Sequence, residues 1–189
     1  ELKAEPPTQT NSPEGATPTS SPQSGTTIKT DDAAKVNYTN DKELKAYLNE
    51  NGILKTMARL IKESRGGSLF DCHQQAHNIG RVGYAIEKEQ SFQSCDASCH
   101  SGCYHGAMES FLNEKGTSNL AQEIDRVCNT FKTSFGIFEC LHGVGHGVLA
   151  YIDYDLPEAI NECQKLSSSF SQSSCYGGLF MENILTGQG

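Results

Sequence analysis

Apolar residues recur along most of this chain at the helical period. Leu44, Leu48, Ile53, Leu54, Met57, Leu60 and Ile61 form the first such stretch, which ends at Arg65-Gly66-Gly67. The same spacing runs through Asp71–Ile86, Ser101–Asn113, Asn119–Lys132, Phe138–Ile152, Pro157–Leu166 and Ser174–Leu185. Pro157 stands at a helix start, where its missing N–H costs nothing, behind Asp155 as the capping residue. No segment alternates apolar and polar residues between hairpin turns. The pattern predicts an all-α chain of about seven helices.

Residues 1–38 break this pattern. The first thirty hold five of the six prolines and eleven Ser or Thr, with Leu2, Ala4, Ala16 and Ile28 as their only aliphatic residues. So little apolar surface cannot offset the entropy of ordering, which predicts a disordered tether ahead of a folded domain at 41–189. Tethers of this composition join an extracytoplasmic domain to an anchor, here one outside this sequence.

The helical part repeats. A shift of 35 residues places Cys128 on Cys163, Phe135 on Phe170, Cys140 on Cys175 and Gly143 on Gly178. Each unit is a helix carrying a cysteine, a loop, and a second helix opening with a cysteine, a period typical of stacked helical hairpins. The spacing predicts the staples Cys128–Cys140 and Cys163–Cys175. Cys95–Cys103 is a shorter version and leaves Cys72 with Cys99, although spacing alone does not fix connectivity among eight cysteines. Zinc held by thiolates asks for CxxC pairs, and there are none. The even count without such pairs indicates an oxidising, extracytoplasmic setting: secreted, periplasmic or cell-surface.

The segment Asp155-Leu-Pro-Glu-Ala-Ile-Asn-Glu-Cys163-Gln-Lys-Leu, followed by Ser-Cys175-Tyr-Gly-Gly-Leu, resembles a unit of the Sel1/TPR-like helical repeats. The resemblance covers residues 120–185. It implies stacked hairpins with one disulfide each and carries no function with it.

Chemistry enters with the histidines, all six of which lie between positions 73 and 146. The second helices of successive units read Cys72-His73-x3-His77, Cys103-Tyr-His105-x3-Glu109 and Cys140-Leu-His142-x3-His146, and the fourth, from Cys175, reads Gly178-x3-Glu182. Residues four apart on a helix sit one above the other, so each pair can chelate one ion. Neighbouring second helices would aim these side chains into a shared space, as helical bundles with metal centres do. His73, His77, His142 and His146 form the leading set, with His105, Glu109 and Glu182 completing one or two sites. Gly106, Gly143, Gly145, Gly147, Gly177 and Gly178 would each weaken a helix by about 1 kcal/mol, which points to close helix contacts or room beside the histidines.

Charge and composition narrow the options. The net charge of −8 and pI near 5.2 exclude non-specific binding to nucleic acid, and no run approaches a membrane span. The reading is therefore an extracytoplasmic transition-metal protein holding one or two ions, with zinc or copper favoured and iron next. A catalytic role as metal-dependent hydrolase or oxidase is left open. So is a metal-free, disulfide-stapled repeat that presents a face to a protein partner. Cys95-Asp-Ala-Ser-Cys99-His100 is one residue longer than the c-type haem attachment motif, which makes haem the weakest alternative.

Overall fold

The computed structural model describes residues 36–64 and 69–186. The tether predicted for residues 1–38 lies outside them, except for its last three positions. Those correct the boundary. Val36 and Tyr38 are buried in an apolar cluster with Leu44, Leu48 and Met57, and the Tyr38 hydroxyl donates to Glu63 at 3.0 Å. An aromatic ring with a partner for its hydroxyl is enough to bring the chain into the fold ahead of Asp41.

The described residues are helical and contain no strand. Seven longer helices run α1 (Asp41–Glu63), α2 (Leu69–Glu87), α4 (Gly102–Lys115), α5 (Leu120–Cys128), α6 (Ser134–Tyr151), α7 (Leu156–Gln164) and α8 (Ser169–Leu185). A single turn, α3 (Ser91–Ser94), follows α2 after a short 3₁₀ segment. Local chemistry sets the starts. Asn40 caps α1 by accepting from the Lys42 and Glu43 amides, and Asp155 caps α7 by accepting from Glu158. Thr133 and Ser168 cap α6 and α8 in the same way, so both helices begin ahead of Phe138 and Ser174. Cys140 and Cys175 consequently lie inside their helices and do not open them.

Leu54 belongs to the apolar pattern of the first helix, yet it is 57% exposed. The cause is Gly52, whose φ of +73° breaks α1 and turns the register so that Ile53 points inward.

The longer helices pack in chain order: α1 on α2, α2 on α4, α4 on α6, α6 on α8. Helices α5 and α7 lie against this row. All eight cysteines are paired as Cys72–Cys99, Cys95–Cys103, Cys128–Cys140 and Cys163–Cys175. The last two bonds staple the hairpins α5–α6 and α7–α8. The fold is thus an all-α stack of disulfide-stapled hairpins.

Glycines decide how closely the row packs. A Cβ on Gly106 would lie 1.9 Å from the His77 carbonyl oxygen, and one on Gly80 2.1 Å from that of Cys103. The same exchange recurs between α6 and α8. There Gly178 meets the His142 carbonyl, at 1.8 Å from a Cβ, and Gly145 meets that of Cys175, at 2.0 Å. Backbone touches backbone in both pairs, which no other residue allows.

Candidate metal centre

Five of the six histidines converge. His73 and His77 come from α2, His105 from α4, and His142 and His146 from α6. The i, i+4 pairs stand side by side as expected: ring centroids are 4.6 Å apart for His73 and His77 and 5.2 Å for His142 and His146. His105 lies between the pairs, 5.4 Å from both His73 and His77, 5.2 Å from His142, and stacked on His146 at 4.3 Å. Ligand atoms fall into two groups, each within 4.8 Å internally: His73, His77 and His105, and His105, His142 and His146. His105 belongs to both. His73, His77, His105 and His146 are at most 3% exposed, and His142 is half-buried.

Hydrogen bonds fix most of the rings through Nδ1. His73 Nδ1 is 2.8 Å from the Cys99 carbonyl oxygen. His77 Nδ1 is 2.6 Å from Glu109 Oε1, and His146 Nδ1 is 2.8 Å from Glu182 Oε2. A carbonyl or a carboxylate only accepts, so each of these rings donates from Nδ1, which leaves Nε2 turned to the other side. The two Nε2 atoms of His73 and His77 face each other at a hydrogen-bond distance of 3.1 Å. Four nitrogens are buried without a hydrogen-bond partner: His146 Nε2, His142 Nδ1 and both nitrogens of His105. An unsatisfied buried polar atom costs about 1–3 kcal/mol, and the two histidine groups could hold a metal ion that offsets this cost.

The electrostatics agree. Burial lowers the basicity of His73, His105, His142 and His146, and neighbouring imidazoles lower it further; His73 and His142 fall to about 4. These rings are neutral at pH 7 and available as ligands. Burial raises the Glu109 carboxyl, but His77 and Arg81, whose Nη1 donates to Glu109 at 2.6 Å, outweigh it and hold it at about 2. The centre therefore sets neutral imidazoles beside an ionised carboxylate.

The approach of Cys99 to His73 requires unusual backbone. Cys99, His100 and Ser101 are all left-handed, with φ of 53°, 51° and 59°. Each such residue costs roughly 1–2 kcal/mol. Disulfides from Cys95 and Cys99 to α4 and α2 hold the turn in place.

Glu109 and Glu182 stand one ring away from the ligand atoms. They contact the far nitrogens of His77 and His146 and belong to neither ligand group. Sequence reasoning missed Glu139, whose Oε2 is 3.6 Å from His105 Nε2, along with Arg81 and Tyr154. Tyr154 Oη reaches Glu182 at 3.5 Å. The signals existed for two of them. Glu139 lies three residues before His142 on one helix face, and Arg81 continues the four-residue spacing from His77. His100 is exposed, its ring 6.4 Å from that of His73. Cys95 and Cys99, the thiols a c-type haem would need, are both in disulfides. The centre reaches the surface at His142, where a Cβ on the exposed Gly177 would sit 3.2 Å from Nδ1. No protein-family model, curated protein or solved structure matches the chain.

Proposed function

We propose that this chain binds one or two transition-metal ions through His73, His77, His105, His142 and His146, and that it works outside the cytoplasm. The observation that carries the reading is a cluster of five imidazoles in which four buried nitrogens, on His105, His142 and His146, lack hydrogen-bond partners while Nδ1 of three rings is already bound. Carboxylate–histidine–metal arrangements are built this way, with the carboxylate fixing the tautomer and raising the basicity of the ligand. Glu109 and Glu182 take that orienting part. Neutral imidazole donors favour zinc or copper, and iron after them. Four disulfides with no cysteine left over fit an oxidising compartment. Among the described residues no helix is long and apolar enough to cross a membrane.

Elemental analysis of protein prepared without a histidine tag, with a free-thiol count on the same denatured sample, tests the reading. One or two equivalents of metal and no free thiol are expected. Protein that neither carries metal nor takes up added zinc or copper would refute it. His142→Ala with His146→Ala should remove at least half of the bound metal, and unchanged stoichiometry would rule out these residues as ligands.

The half-buried edge at His142 favours one extension. An ion held by three nitrogens and facing solvent there keeps a position for water, the arrangement that hydrolytic metal sites use. Cobalt(II)-substituted protein reports this directly. Azide should shift its visible bands where a position is open and leave them unchanged where the site is closed.

A further inference from the structure

His105 is the one residue common to both ligand groups, and both of its ring nitrogens are buried without a partner. His73, His77 and His146 differ, since each already spends Nδ1 on a carbonyl or a carboxylate. The orientation of His105 matches its position in the row. A Cβ on Gly143 of α6 would lie 3.4 Å from its Cδ2, and Glu139 of α6 is 3.6 Å from its Nε2. The Cδ2–Nε2 edge thus faces α6, which carries His142 and His146. Nδ1 is on the opposite edge of the ring, and the rings of His73 and His77 on α2 lie 5.4 Å from that of His105.

We propose that His105 bridges two metal ions as an imidazolate, with Nδ1 on the ion held by His73 and His77 and Nε2 on the ion held by His142 and by His146, whose ring turns out of its stack on His105 to present Nε2. The inference rests on the metal-binding reading above. A neutral imidazole has one lone pair and one N–H. To ligate through both nitrogens it gives up that proton, which leaves to solvent as the second ion binds. No electron is transferred. The imidazolate charge, with the carboxylates of Glu109 and Glu182 behind His77 and His146, offsets part of the charge of two dications. A bridge also explains why neither buried nitrogen has a hydrogen-bond partner, Glu139 standing off at 3.6 Å: such a partner would occupy a ligand position. The two positions differ. The α2 ion is enclosed by buried side chains, while the α6 ion lies beside the half-buried His142.

Copper(II) titration of the folded, fully oxidised protein, followed by electron paramagnetic resonance, tests the bridge. Two equivalents should bind. The first gives a mononuclear signal, and the second should abolish most of it, because an imidazolate couples the two spins antiferromagnetically. A half-field signal that grows on warming reads the same coupling and needs no variant. His77→Ala and His142→Ala each cripple one group and should each retain one copper with a full, uncoupled signal. His105→Ala should lose the coupling. Two coppers with the summed signal of independent ions would overturn the bridge and leave the metal-binding reading intact. One tightly held copper and no second would do the same. A folded His105→Ala protein with two still-coupled coppers would reassign the bridge to solvent. No copper bound at all would overturn the metal-binding reading itself.

Discussion

Glu182 has a single short contact in the centre, the 2.8 Å hydrogen bond to His146 Nδ1. Its removal therefore separates orienting a ligand from being one. On the proposed reading, Glu182→Gln should weaken metal affinity by about 10–100-fold and keep the stoichiometry, as removal of partners behind a ligand does elsewhere. Competition against a chromophoric chelator measures it; loss of a whole equivalent would make Glu182 a ligand. The five converging histidines are legible in the sequence because each helix repeats a four-residue spacing that has one physical meaning. The role of Glu109 and Glu182 is not. Spacing gives the helix face of a carboxylate, but not which nitrogen of an imidazole it meets across a helix contact. The central place of His105 is equally hidden, since its helix offers one histidine where its neighbours offer two. The Cys99 carbonyl is backbone, and no residue type announces it.

At the scale of elements, two opposing effects meet at Gly178. Helix propensity alone predicts that Gly178→Ala stabilises by about 1 kcal/mol. The 1.8 Å approach to the His142 carbonyl predicts the opposite, because α6 and α8 must separate. Overpacking of this kind costs about 1–3 kcal/mol, and backbone yields less readily than a side chain, so the variant should melt several degrees lower. Thermal unfolding decides, and a higher midpoint would mean that the helices give way easily. The helices themselves are readable from apolar periodicity, and the hairpin staples from the recurring cysteine separation of 12. The starts of α6 and α8 are not. Their first turns carry Phe135 and Phe170 on the outside, at 57% and 50% exposure, so the periodic signal begins only once the core is reached. Gly52 hides the break in α1, because a glycine inside a periodic run does not reveal the sign of its φ.

For the molecule as a whole, the histidines make metal-free stability depend on pH. His73 and His142 have an ordinary value of 6.5 and fall to about 4 in the folded protein. Between those values the unfolded chain takes up protons that the folded one refuses, so stability is complete above about 6.5 and is lost as pH falls toward 4. Urea midpoints of the metal-free protein should therefore drop steadily from pH 7 to pH 4.5. A flat profile would mean that these rings are solvated. Reduction should act in the same direction, since each disulfide contributes typically about 2–4 kcal/mol. Fully reduced protein should unfold at much lower urea and release any bound ion. The disulfides also set an order of events. Each helix that supplies histidines carries a bonded cysteine just ahead of the first one: Cys72 before His73, Cys103 before His105, Cys140 before His142. Until those sulfurs are oxidised, eight thiolates compete with the imidazoles for the same soft ions. On the proposed reading, maturation must therefore run oxidation first and loading second. A chain given cobalt while still reduced should trap it on sulfur, with intense thiolate charge-transfer bands. A chain oxidised beforehand should take it on nitrogen and show only the weak bands of a histidine site.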